Sequence, residues 1–129
     1  MIGIVLVSHS AALAEGLADL VGQVGGEDVR IVPAGGSAAG GLGTDPDRIA
    51  AAIRAAESGD GVLVLVDIGS AVLAVRAILA GGGAGGIDVR LADAPLVEGA
   101  VAAAVLAAAG ADLAAAAAAA EEARVVGKL

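Results

Sequence analysis

The sequence predicts an α/β fold: an open, mainly parallel sheet of four strands with helices on both faces. Three observations carry this. Short apolar runs alternate with longer segments of helical periodicity along the whole chain. The first and third runs, Ile2 to Val7 and Gly61 to Val66, are continuously apolar, as strands buried on both faces are. The junctions carry helix-start and helix-stop residues, so each connection is long enough for a right-handed crossover.

Taken in order, Ile2 to Val7 is the first strand. Leu13, Leu17, Leu20, Val21 and Val24 then recur at helical spacing, with Ser8 or Ser10 available as N-cap and Gly25-Gly26 as the stop. Val29 to Val32 is the second strand, and Pro33 to Gly43 reads as a long loop of small residues. Asp45 before Pro46 is a strong helix start, because the residue before proline avoids the helical region and proline suits the first helical position. Ile49 and Ile53 give that helix its apolar face.

The third strand ends in Asp67, and Ile68-Gly69-Ser70 turns into a helix with Val72, Val75 and Leu79. After a glycine-rich connection from Gly81 to Gly86, Val89 to Ala92 is a less apolar fourth strand, suited to an edge. Pro95 opens a helix with Val97, Val101 and Val105 on one face. Asp112 caps a last helix to about Val126, whose run Ala114 to Ala120 maximises helix propensity but specifies little packing. No linker divides the chain, so residues 1–129 are expected to form one domain.

Composition removes several functions. The chain has no Phe, Tyr or Trp, so it has no rings to stack on bases or sugars. Its net charge is −8 and its seven basic residues do not cluster, which argues against a nucleic-acid partner. With no cysteine there is no disulfide or thiolate site, and one histidine argues against a zinc site. No cofactor motif is present, neither a P-loop nor a G-x-S-x-G elbow. The alanine-rich stretch from Gly99 to Ala120 is broken by Gly110 and Asp112, and reads as two helices rather than a membrane span. The N-terminus lacks a signal-peptide pattern, so a cytoplasmic location is expected.

The candidate site follows from topology. In an open parallel sheet, ligands bind beyond the carboxyl ends of the strands, where strand order reverses. The residues there are Ser8-His9-Ser10, Gly43-Thr44-Asp45, Asp67-Ile68-Gly69-Ser70, and Ala94-Pro95-Leu96-Val97-Glu98. With strand order 2-1-3-4, the first and third strands are neighbours, and His9 faces Asp67. A carboxylate on one imidazole nitrogen fixes the tautomer and leaves the other nitrogen nucleophilic. Helix-start N–H groups after Ser10 and Ser70, with the hydroxyls of Ser8, Ser10, Thr44 or Ser70, offer donors to an oxyanion. This constellation fits transient phosphorylation of His9. Asp67 is equally suited to capping the third helix, and Thr44 and Asp45 to capping the second.

At Val7-Ser8-His9-Ser10 the chain resembles the mannose-type EIIA family of the bacterial phosphoenolpyruvate phosphotransferase system. More narrowly, it is similar to the phosphotransfer subunits of PEP-dependent dihydroxyacetone kinases. Gly43-Thr44-Asp45, Val66-Asp67-Ile68-Gly69-Ser70-Ala71, Ala94-Pro95-Leu96-Val97-Glu98-Gly99 and Gly110-Ala111-Asp112 extend the resemblance over nearly the whole length. It implies the mannose-type EIIA fold, His9 as phosphoryl acceptor, Asp67 as its orienting partner, and Ser8, Ser10, Gly43, Thr44, Gly69 and Ser70 around the phosphoryl group. It also implies HPr as donor, ADP on the kinase's nucleotide-binding subunit as acceptor, and a homodimer. Some relatives continue into HPr-like and enzyme-I-like domains, whereas this chain stops at Leu129 and is expected to depend on separate donors. Three other readings compete: an EIIA component serving a sugar permease, a non-catalytic signalling domain, and a hydrolase using His9 as base. A receiver domain is disfavoured because the acidic pair it needs after the first strand is absent.

Overall fold

The computed structural model describes residues 1–129. Its elements are strand β1 (Gly3–Ser8), helix α1 (Ala11–Gly25), β2 (Ile31–Gly35), α2 (Pro46–Ala56), β3 (Val62–Val66), α3 (Gly69–Ala80), β4 (Val89–Leu91), α4 (Leu96–Ala108) and α5 (Leu113–Glu122), then a 3₁₀ turn (Ala123–Val125). The strands form one sheet in the order β2-β1-β3-β4, and every pair is parallel. This is the architecture expected from the sequence.

The two central strands explain why both faces need helices. Side chains alternate across a strand. Ile4 and Leu6 of β1, with Leu63 and Leu65 of β3, meet Leu17 and Val21 of α1 and the alanines of α4 and α5. Val5 and Val7, with Val62, Val64 and Val66, meet Ile49 and Ile53 of α2 and Val75 and Ile78 of α3. Each fully buried Val, Leu or Ile contributes about 1.5–3 kcal/mol, so these two aliphatic layers replace the missing aromatic core.

The helix starts obey local chemistry. Ser10 caps α1 by accepting from the Leu13 N–H at 3.2 Å. Asp45 caps α2 by accepting from Asp47 at 3.0 Å, with Pro46 in the first turn. Asp112 caps α5 by accepting from Ala115 at 2.8 Å. The start of α3 differs, because Ile68 stands at its N-cap and no side chain caps it.

Three details depart from the sequence reading. The second strand is not Val29 to Val32 but Ile31–Gly35, and it includes Pro33. It lies at the edge of the sheet, where a residue without an N–H does not break the ladder. The loop that follows is correspondingly shorter. Val97 and Val105, expected on the apolar face of the fourth helix, are 44% and 48% exposed. The buried face of α4 is Gly99, Ala100, Ala103, Ala104 and Ala107, because α4 packs closely on α1, α5 and β3. A Cβ on Gly99 would stand 3.0 Å from the Leu65 side chain, so small residues set that spacing. Finally, α5 ends at Glu122 and tightens into the 3₁₀ turn rather than running on to Val126.

Close approach also fixes the start of β1. A Cβ on Gly3 would lie 2.1 Å from the carbonyl oxygen of Ala56, at the end of α2. Gly16, exposed on α1, has open space around its Cβ position. Gly3→Ala is therefore expected to destabilise the protein by about 1–3 kcal/mol or more. Gly16→Ala should stabilise it by roughly 0.5–1 kcal/mol, by removing a helix-interior glycine. Denaturant midpoints of the two variants, compared with the parent, check both signs.

Candidate functional site

The parallel register of β1 and β3 brings the site together. Val7 pairs with Val66, and the Asp67 N–H donates to the Val7 carbonyl at 3.1 Å. Ser8-His9 and Asp67 therefore leave the sheet side by side. His9 Nδ1 lies 2.9 Å from Asp67 Oδ1, and the His9 backbone N–H donates to Asp67 Oδ2 at 2.9 Å. Both ends of the same residue thus bind one carboxylate, which fixes the imidazole relative to β3. The pair is enclosed but not sealed, with side-chain exposures of 24% for His9 and 15% for Asp67.

Asp67 accepts two further bonds. The Ile68 N–H donates to Oδ1 at 2.8 Å, and the Ser8 hydroxyl donates to Oδ2 at 3.0 Å. Burial pushes the Asp67 carboxyl up, but the bonds from His9, Ile68 and Ser8 outweigh it and hold the group below its ordinary value of 3.8. An ionised carboxylate only accepts, so Nδ1 carries the ring proton of the neutral imidazole. Nε2 then holds the lone pair, and the Ser70 hydroxyl, 2.8 Å away, donates to it. The nitrogen with the lone pair therefore faces the start of α3.

The remaining candidates divide into three groups. Ser70 reaches the ring itself, and Gly69 lies beside it in the first turn of α3, which no side chain caps. Gly43 touches His9 through the backbone, its N–H donating to the His9 carbonyl at 2.9 Å. Its φ of 138° is one that an L side chain rarely adopts. Thr44 follows it, half-buried, ahead of the cap of α2. Ser8 and Ser10 are engaged elsewhere. Ser8 is buried and bonded to Asp67, and the Ser10 hydroxyl is held by the first turn of α1. The sequence places both serines at the phosphoryl group. The Ser8 hydroxyl gives its one proton to Asp67, whereas the Ser10 hydroxyl accepts from Leu13 and keeps its own proton.

The Ile68 N–H is a donor that residue identities did not reveal, since a backbone group leaves no trace in composition. Leu42, Ile68 and Leu73 are exposed, and each lies within three residues of a residue bonded to His9 or Asp67.

A model of the family EIIA-man, described as the PTS system fructose IIA component, matches residues 3–117. The chain belongs to the EIIA-man family. One relative of this EIIA-man protein is the phosphoryl donor subunit DhaM of PEP-dependent dihydroxyacetone kinase 2 from Listeria innocua. It is 40% identical over 81% of this chain and 85% of its own. The DhaM subunit from Klebsiella michiganensis is 43% identical over 83% of this chain but only 24% of its own length. The EIIA-man chain thus spans about a quarter of that relative. A solved crystal structure of a protein of unknown function, EF1359, superposes with a TM-score of 0.80 at 33% identity, over 95% of both chains. No helix of the EIIA-man chain is long and apolar enough to cross a membrane.

The depressed Asp67 carboxyl has a consequence for stability. Its folded-state value is lower than its unfolded one, so the unfolded chain binds more protons as pH falls through that window. The contribution of Asp67 is complete above the ordinary carboxylate value and disappears as pH drops through the folded value. Melting temperatures between about pH 6 and pH 2 should fall more steeply in the parent than in Asp67→Asn, whose side chain does not titrate.

Proposed function

We propose that His9 is a phosphoryl carrier and that the protein relays phosphate from HPr to ADP on the nucleotide-binding subunit of a dihydroxyacetone kinase. The observation that carries this reading is the hydrogen-bonded array Asp67–His9–Ser70, which leaves a lone pair on Nε2 at the protein surface. The names of the DhaM relatives support the pathway.

In the proposed step the Ser70 hydroxyl swings off Nε2 as the donor's phosphohistidine arrives. The Nε2 lone pair forms the new N–P bond while the donor's N–P bond breaks, and its electron pair returns to the donor ring. The His9 ring becomes a phosphorylated imidazolium that keeps its proton on Nδ1. Asp67, already ionised, stabilises that positive charge. The Ser70 hydroxyl and the Gly69 and Ser70 N–H groups then bind the phosphoryl oxygens, with Gly43 and Thr44 beside the His9 backbone; the uncapped start of α3 and the Ser70–His9 contact support this. Transfer onward to ADP reverses the roles. Little covalent machinery is required, because phosphoryl transfer depends mainly on positioning and charge stabilisation.

The exposed apolar side chains of Leu42, Ile68 and Leu73 suit successive protein partners, which would exclude water from the transferring group. The setting proposed is cytoplasmic, with the domain working as a homodimer that covers part of the exposed apolar surface of α1 and α4. A sugar permease is the second acceptor to consider, since the family is that of a sugar-system component.

Incubation with phosphoenolpyruvate, enzyme I and HPr should add one acid-labile phosphoryl group that maps to His9. His9→Ala should take up none, and any acid-labile phosphate on that variant would remove His9 from the mechanism. Asp67→Ala should stay folded and transfer roughly 10- to 100-fold more slowly, the worth of a hydrogen bond to a charged group. Draining the labelled protein with either the ADP-loaded kinase subunit or a sugar permease then decides the acceptor. Drainage by the permease alone would overturn the kinase assignment.

A further inference from the structure

Ser8 is the one buried polar residue of the chain, and the transfer step makes no use of its hydroxyl. That hydroxyl is 0% exposed and makes two bonds. It accepts from the Ser10 N–H at 3.0 Å and donates to Asp67 Oδ2 at 3.0 Å. A hydroxyl has one proton, and an ionised carboxylate can only accept it, so the direction of the chain from Ser10 through Ser8 to Asp67 is fixed.

At its far end this chain completes the carboxylate. Oδ1 accepts from His9 Nδ1 and the Ile68 N–H, and Oδ2 accepts from the His9 N–H and the Ser8 hydroxyl. Two of the four donors are backbone groups and one is the reactive ring. Ser8 supplies the only other side chain. Its backbone is held separately, through pairing with Gly35 and a Gly36 N–H bond to its carbonyl at 3.2 Å. Removing the hydroxyl therefore leaves the strand in place, takes from Oδ2 one of its two donors and leaves only the His9 N–H on that oxygen.

We propose that Ser8 is a positioning residue whose hydroxyl braces the Asp67 carboxylate, and thereby holds the His9 ring with its proton on Nδ1 and its lone pair on Nε2. His9 is the only ionisable side chain within ion-pairing distance of Asp67, so the brace and the ring share one acceptor. Its effect on rate rests on the reading of His9 as phosphoryl acceptor. The brace itself belongs to the unphosphorylated protein and can be measured there.

The test compares Ser8→Ala and Ser8→Thr with the unaltered chain by ¹³C NMR titration of the Asp67 carboxyl, ¹⁵N NMR of the His9 ring, and phosphoryl transfer from HPr. In Ser8→Ala the Asp67 midpoint should rise, the share of ring protonated on Nδ1 alone should fall, and transfer should slow roughly tenfold. Ser8→Thr, which keeps the hydroxyl, should restore all three. In an Asp67→Ala background Ser8→Ala should cost little further rate, because the braced group is gone. The proposal is overturned if the Asp67 midpoint and the His9 ¹⁵N shifts are unchanged in Ser8→Ala, or if the rate loss persists at full size in that background. Should the unaltered protein accept no phosphate at all, the phosphocarrier reading fails, while the two NMR measurements still decide the brace.

Discussion

The parallel pairing of β1 with β3 is the constraint on which the site depends. Val7 opposite Val66 sets Ser8, His9 and Asp67 at the same height above the sheet. A slip of one residue would turn every side chain of one strand to the opposite face and exchange the two aliphatic layers. Core burial therefore enforces the register, and the register places a carboxylate within 2.9 Å of the ring nitrogen. The geometry of a surface site is in this way maintained by side chains well beneath it. Val5, Leu6 and Val7 on one strand and Val64 and Leu65 on the other are fully or almost fully buried.

The same economy governs the helices. Without aromatic residues, the chain gains burial by bringing backbones close together. Gly3 lies against the end of α2, and the alanine face of α4 against β3 and α5. The larger aliphatic residues that this leaves outside, among them Val97 and Val105, lie on the surface rather than in the core. The polar side is equally sparse. Four donors converge on one carboxylate, and no buried side-chain polar atom is left without a partner. Such a network has little room to relax, and it holds the His9 ring in one orientation.

Much of the architecture was legible from residue order. The apolar runs announced β1 and β3, and Ser10, Asp45 and Asp112 announced three helix starts, because these signals act within a few residues. The boundary of β2 was less legible. Pro33 reads locally as a break, and only its place at the sheet edge makes it compatible with a strand. The inward face of α4 was misread for a related reason. Hydrophobicity favours valine over alanine, whereas the packing distance to α1, α5 and β3 favours alanine. For the site, residue types singled out His9 and Asp67 and offered the hydroxyls of Ser8, Ser10, Thr44 and Ser70 alike. They did not separate the serine that reaches the ring from Ser8, which reaches the carboxylate.

By itself, then, the sequence determined the alternation of strands and helices, the parallel sheet with both faces covered, and the presence of a lone histidine and an aspartate at strand ends. These follow from hydrophobic period, caps and turns, all of them short-range. The tertiary structure alone decided which donors meet which lone pairs: Ser8 with Asp67 Oδ2, and Ser70 with His9 Nε2. A hydrogen bond depends on tenths of an ångström between residues some sixty positions apart. Only the packed sheet sets distances of that kind.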